Sequence, residues 1–177
     1  MKILLTILLF IAETSFSQSQ CPPEGDRPKE AVASLLKNRQ WFPVKDSAHQ
    51  IQFEDLLKDA ITDTGAVYVD AYITSAKISG LEACQCHINN NDYKDYHIFI
   101  AATQGDKLGK DNQVVEVSRY ARAFNPSITF DYVKGLVGHK VRIYGYTFMD
   151  DEHKNAIGRW RGGIQEIHPV FYIDRLD

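Results

Sequence analysis

Gly65-Ala66-Val67-Tyr68-Val69-Asp70-Ala71-Tyr72-Ile73-Thr74 is the stretch that decides the fold. Val67, Val69, Ala71 and Ile73 alternate with Tyr68, Asp70, Tyr72 and Thr74. That period of two belongs to a strand with one face in a core, and it predicts a strand over residues 66–79. Four more runs follow. Over 95–103, Tyr96, Ile98 and Ile100 share one face, and His97 and Phe99 the other. Over 113–120, Val115 and Val117 stand opposite Glu116, Ser118 and Tyr120. The last two cover 140–148 and 164–174. Between the third and fourth runs, after Asn125-Pro126-Ser127, the spacing becomes helical at Ile128, Tyr132, Val133, Leu136 and Val137. Gly138 closes that segment as a left-handed residue would. Strand, strand, strand, helix, strand, strand is the order of a five-stranded OB-type Greek-key barrel with one helix between strands 3 and 4. The chain is therefore expected to be mainly β.

Working toward the N-terminus, Asp26 is placed to cap a short helix through about Arg39. Pro28 lies in its first turn, and Val32, Leu35 and Leu36 lie on one face. Residues 40–52 read as irregular. Residues 53–60 form one or two further helical turns, with Leu56 and Leu57 as the apolar contact. The organisation predicted is a leader with short helices over 18–60 and a barrel over 61–177. Before it, Met1-Lys2 is followed by ten uncharged residues and then Ser15-Phe16-Ser17. That pattern predicts a secretory signal peptide over 1–17, cleaved before Gln18. Ten residues are too short to cross a bilayer, which takes ~20. No later segment reaches that length, so no transmembrane segment is expected. An exported chain meets an oxidising compartment, where thiols pair. Cys21 stands where a lipid-anchored protein carries its acylated cysteine, but Gln18-Ser19-Gln20 matches the Leu-Ser/Ala-Gly/Ala signal poorly.

Of the 177 residues, 44% are hydrophobic and 24% charged, which marks a globular chain. The formal net charge of -3 excludes a nucleic-acid binder that works by bulk positive charge, though a local basic patch survives.

Three groups of residues carry candidate chemistry. The first is Cys84-Gln85-Cys86-His87. Cys84, Cys86 and His87, with His153 from the later loop, are ligand types that zinc takes. The same cysteines fit a disulfide with Cys21 or with each other, or free buried thiols. The second is His97, Glu116, Glu166 and His168. Strand phase puts His97 and Glu116 on outward faces, where an OB barrel binds oligonucleotides or oligosaccharides, and Glu166 and His168 on one shared face of the fifth strand. Two carboxylates and two imidazoles can bind a divalent cation or act as acid and base. They also fit an ordinary strand surface satisfied by loop hydrogen bonds. The third is Arg159-Trp160-Arg161, in the polar loop that joins the last two strands. Guanidinium groups grip phosphate and an indole stacks on a base or sugar. Alternatively, Trp160 folds back over the barrel end. No Gly-rich phosphate loop, Gly-x-Ser-x-Gly elbow or His-Glu-x-x-His is present.

A resemblance adds to these readings. Glu82-Ala83-Cys84-Gln85-Cys86-His87, Asp95-Tyr96-His97-Ile98, Val115-Glu116-Val117, Trp160-Arg161 and Glu166-Ile167-His168-Pro169-Val170 resemble a family of exported bacterial OB-fold proteins. Leu36-Lys37-Asn38-Arg39 is similar as well, and the resemblance covers most of the chain beyond residue 17. Gln165 stands where that family usually has Trp. The resemblance implies a periplasmic or extracellular protein with nucleic acid as its ligand. Together the expectations favour a secreted binding module whose ligand touches Arg159, Trp160, Arg161, His97, Glu116, Glu166 and His168. The rival is a metal-dependent, phosphodiesterase-like hydrolase using His97, Glu116, His153 and His168. A third reading is an envelope module that meets a protein partner. Convergence of the four rival residues within coordination distance favours the enzyme, their dispersal around an open basic-aromatic groove favours the binding module, and a flat apolar face favours the protein partner.

Overall fold

The computed structural model describes residues 21–177, so the signal-peptide expectation over 1–17 lies outside the described residues. Its barrel strands are β2 (Ala66–Ile78), β3 (Tyr96–Ala101), β4 (Asn112–Val117), β5 (Lys140–Met149) and β6 (Gln165–Arg175). A two-residue β1 (His49–Gln50), within the stretch expected to be irregular, adds to the outside of β2 in parallel. The barrel runs β2, β3, β4, β6, β5 and back to β2. Every barrel pairing is antiparallel except β4 with β6. This connectivity is the OB-type Greek key that the element order predicts.

The long β2 makes closure possible. Its first half pairs with β5 from Ala66 to Tyr72, and its second half pairs with β3 from Tyr72 to Ile78. The register shifts between Ile73 and Ser75, where Thr74 Oγ1 donates to Phe99 O and Asn112 Oδ1. Such a bulge bends a strand around a barrel corner. On β5, Gly145 is the other requirement: a Cβ there would lie 2.2 Å from Ile167 Cγ2.

The alternation assigned to β2 is right. Val67, Val69, Ala71 and Ile73 all face the apolar core, with Ile98, Ile100, Val115, Val117, Ile167 and Phe171. The helical segment differs from expectation. Two short helices, α3 (Arg119–Phe124) and α4 (Phe130–Gly135), replace the single one, and β4 ends at Val117 rather than 120. Ser118 Oγ caps α3 by accepting from Ala121 N, and Thr129 Oγ1 caps α4 by accepting from Tyr132 N. Pro126 between them prevents one continuous helix.

The N-terminal segment departs further. Its helix, α1 (Ala31–Lys37), follows a 3-10 turn at Pro28–Glu30. Asp26 does not cap it; its carboxylate binds His87 Nδ1 at 2.8 Å. The predicted apolar face is turned outward, with Val32 74% exposed, while Ser34 and Lys37 are buried. A disulfide joins Cys21 to Cys86, and Asn38 Nδ2 donates to Pro23 O and Cys84 O. These ties bolt the segment onto the turn at 82–87. The remaining short helix, α2 (Phe53–Leu57), buries Leu56 as expected. Among the described residues, no helix is long and apolar enough to cross a membrane.

Candidate metal centre

The outward side of β3, β4 and β6 is no open groove. The segment bearing α1, the turn at 82–87 and the loop after β5 lie over it. Between these layers sits a second interior made of ionisable groups: Lys37, Glu82, Cys84, Asp95, His97, Glu116, Asp150, Arg161, Glu166 and His168.

Strand geometry places its centre. His97 and Glu116 are direct cross-strand partners of β3 and β4. Val115 pairs inward with Ile167 across β4 and β6. Their neighbours Glu116, Glu166 and His168 therefore meet on the outward side. His97 Nε2 lies 3.1 Å from Glu116 Oε1 and 3.1 Å from Glu82 Oε1. His168 Nδ1 lies 3.1 Å from Glu166 Oε1 and 3.3 Å from Glu116 Oε2, and its Nε2 lies 3.2 Å from Asp95 Oδ2. Arg161 is wholly buried and holds the rear of the cluster. It donates to Gly163 O, Asp150 Oδ2 and Ile164 O, and its Nη2 lies 3.3 Å from Glu166 Oε2.

Two permanent cations, Lys37 and Arg161, face five carboxyl groups here, so the two imidazoles are drawn toward their charged forms. The titration behaviour follows. Burial pulls the His168 ring toward neutrality, but Glu116, Asp95 and Glu166 outweigh it, and its pKa is pushed up to about 10. Burial opposes charge on His97 too, yet Glu116 and Glu82 raise it well above the ordinary imidazole value. Lys37 is also raised against burial, by Glu116, Glu166 and Glu82. Glu116 is lowered despite complete burial, because both imidazoles face it. Glu166 is raised, first by burial and then by Glu116. Burial, with Asp95 and Glu82 beside it, pushes the Cys84 thiol up as well.

Among the described residues, several buried side-chain atoms lack a hydrogen-bond partner of regular geometry. They include both Asp95 oxygens, Glu116 Oε2, Glu166 Oε2 and His168 Nε2. An unsatisfied buried polar atom costs ~1–3 kcal/mol, and more when charged. Three of these residues, Asp95, Glu116 and His168, bring one ligand atom each to within 4.8 Å of one another. Glu82, His97 and Glu116 do the same, as do Glu82, Cys84 and Asp95.

The sequence candidates therefore divide. His97, Glu116, Glu166 and His168 come together. Cys84 joins their edge as a free thiol whose Sγ lies 3.6 Å from Glu82 Oε2. Cys86 is excluded as a ligand by its disulfide, and His87 pairs with Asp26 away from the cluster. The same disulfide uses the Cys21 sulfur that a lipid anchor would need. His153 binds Asp150 Oδ2 at 2.7 Å and reaches the cluster only through that carboxylate. Arg161, expected to touch ligand, lies inside; its planar donors serve two carboxyl groups and two backbone carbonyls. Arg159 is exposed, and Trp160 is 37% exposed, 6.0 Å from Lys77 Nζ. Lys37, Glu82, Asp95 and Asp150 were missed as site residues. One signal pointed to Asp95: Asp95-Tyr96-His97 and Glu166-Ile167-His168 are both acid-x-His on a period-two strand.

No family model matches the chain, and no curated protein matches it. Among solved structures it is similar to a chain of the crystal structure of yeast Stn1 and Ten1, with a TM-score of 0.42 and 12% identity over 81% of this chain and 69% of that one. At that likeness no residue role is carried across, and the barrel stands on its own strand pairing.

Proposed function

We propose that this protein is a divalent-metal-binding OB-type protein, with a zinc-class ion held by Asp95, Glu116 and His168. One observation carries the reading: the buried residues Asp95, Glu116 and His168 each bring one ligand atom to within 4.8 Å of the others. Carboxylate and imidazole donors suit zinc and its neighbours in the transition series. The surroundings support it. His168 Nε2 lies 3.2 Å from Asp95 Oδ2, while Nδ1 faces Glu166 Oε1 at 3.1 Å. A metal-bound histidine characteristically donates its other N–H to such a carboxylate. Arg161 in turn supports Glu166.

Equilibrium dialysis of the chelator-stripped full chain against zinc tests this. His168→Ala and Asp95→Asn each retain at least one zinc fewer per chain than the wild type, with near-UV circular dichroism as the folding control. A wild-type chain that retains no zinc above the buffer level refutes the proposal.

A second reading concerns the rim. Trp160, Lys77 and Arg159 leave an aromatic and two cations accessible beside the centre, which supports contact with an oligomeric polyanion, nucleic acid included. Double substitution Arg159→Ala/Lys77→Ala then weakens single-stranded DNA binding and flattens its salt dependence. An unchanged salt slope removes this reading. The Cys21–Cys86 disulfide supports an exported protein, since such bonds persist in oxidising compartments.

A further inference from the structure

We infer that the outer donor set, Glu82, His97 and Glu116, holds a second divalent ion that shares Glu116 with the first and keeps a coordination position open to solvent. The inference rests on the inner set being a metal site.

Glu116 is placed to serve both. Its Oε1 lies 3.1 Å from His97 Nε2, and its Oε2 lies 3.3 Å from His168 Nδ1, so its two oxygens face the two different histidines. His97 Nε2 faces two carboxylate oxygens at the same 3.1 Å, one from Glu82 and one from Glu116. A single N–H cannot align fully with both. A tetrahedral ion with bonds of ~2.0–2.2 Å separates its ligand atoms by roughly 3.3–3.6 Å, so a small outward movement accommodates one. Lys37 Nζ lies 3.8 Å from Glu82 Oε2, on the other oxygen, which leaves Oε1 for the ion.

The two sets differ in access. Asp95 and His168 are fully buried. His97 and Glu116 line a cavity of about 60 Å³, together with Lys77, Asp150, His153 and Trp160. One water needs only ~10–15 Å³ of such space. Asp150, on the wall of this cavity, keeps a buried Oδ1 without a hydrogen-bond partner. A three-ligand set with two members, His97 and Glu116, on a water-sized space fits an open metal site, whereas structural sites close all four positions. The class of ligand that fits is a small oxyanion, with its charge met by the ion and by Lys77 at the exposed rim. Water on such an ion is acidified, which is the activation that phosphoester hydrolysis requires.

Zinc stoichiometry decides the matter, measured by elemental analysis after dialysis of the stripped full chain. The expected count is two per chain in the wild type and one in either His97→Ala or His168→Ala. A wild-type count of one, unchanged in His97→Ala and lost in His168→Ala, overturns this inference and leaves the inner site standing. A count of zero overturns both. The open position has its own readout. With cobalt replacing zinc, inorganic phosphate shifts the visible bands of the wild type and not of His97→Ala. Wild-type bands indifferent to millimolar phosphate overturn the open position, whatever the count.

Discussion

The two faces of β3, β4 and β6 are both covered and are held together by opposite means. Inward, Ile98, Ile100, Val115, Val117 and Ile167 form a hydrocarbon interior that depends on volume alone. Outward, His97, Glu116, Glu166 and His168 form an interior that depends on charge balance and donor geometry. Apolar burial stabilises in proportion to area and tolerates exchange of similar shapes. Buried ions repay their desolvation only when every partner is in place. The first interior makes the barrel. The second covers the barrel's outward side with groups that need one another to stay buried.

The largest effects come from emptying one interior at a time. Phe171→Ala removes a wholly buried ring that packs on Phe42, Tyr146 and Tyr172, at a cost of ~3–5 kcal/mol. In urea titration its midpoint should fall whether or not zinc is present. Glu116→Ala leaves two imidazoles without their shared carboxylate and should cost about as much, ~3–5 kcal/mol. Unlike Phe171→Ala, it abolishes zinc-induced stabilisation. If zinc protects both variants equally, the division between the two interiors is wrong.

Next in size is the clamp over the charged layer. The double variant Cys21→Ser/Cys86→Ser frees the segment that covers it and should cost ~2–4 kcal/mol. Its zinc affinity should fall as well, because Glu82 and Cys84 lie on the turn that the disulfide fixes. Unchanged affinity would place the turn outside the centre.

A smaller effect appears with pH. The His168 pKa of about 10 exceeds the ~6.5 of an unfolded chain. A raised pKa gives stability that is complete below ~6.5 and is lost as pH climbs toward the folded value. His97 acts in the same sense. The metal-free protein should therefore weaken steadily from pH 7 to 10 in urea titrations, and zinc should remove that decline. A flat metal-free profile would show that the imidazoles are not held charged. At the bottom of the scale, Val32→Ser on the outward face of α1 should shift stability by less than ~0.5 kcal/mol. Its effect marks how little that face packs.

The sequence made the first interior readable and only half of the second. Five strands could be placed because inward residues such as Val67, Val69, Ala71 and Ile73 repeat every second position. The helix α3 was hidden because Ser118-Arg119-Tyr120 prolongs the alternation of Val115 and Val117, while the Ser118 cap decides otherwise. The helix α1 was read with the wrong face inward. An apolar stripe normally seeks a core, but here the surface beneath is anionic and takes Lys37 instead. The same cause explains the site. His97, Glu116, Glu166 and His168 are visible as polar positions on strands. Lys37, Glu82 and Asp150 come from a helix and two loops whose docking no local pattern records. Arg161 sits among Gly and polar residues and reads as solvent-facing, because burial of a guanidinium depends on carboxylates that are distant in sequence.

The most direct test is a crystal of the zinc-loaded chain with anomalous scattering collected across the zinc absorption edge. The account predicts a peak inside the charged layer, ~2.0–2.2 Å from a carboxylate oxygen of Asp95, an oxygen of Glu116 and a ring nitrogen of His168. Zinc found only at surface carboxylates or histidines, with that interior empty, would contradict it.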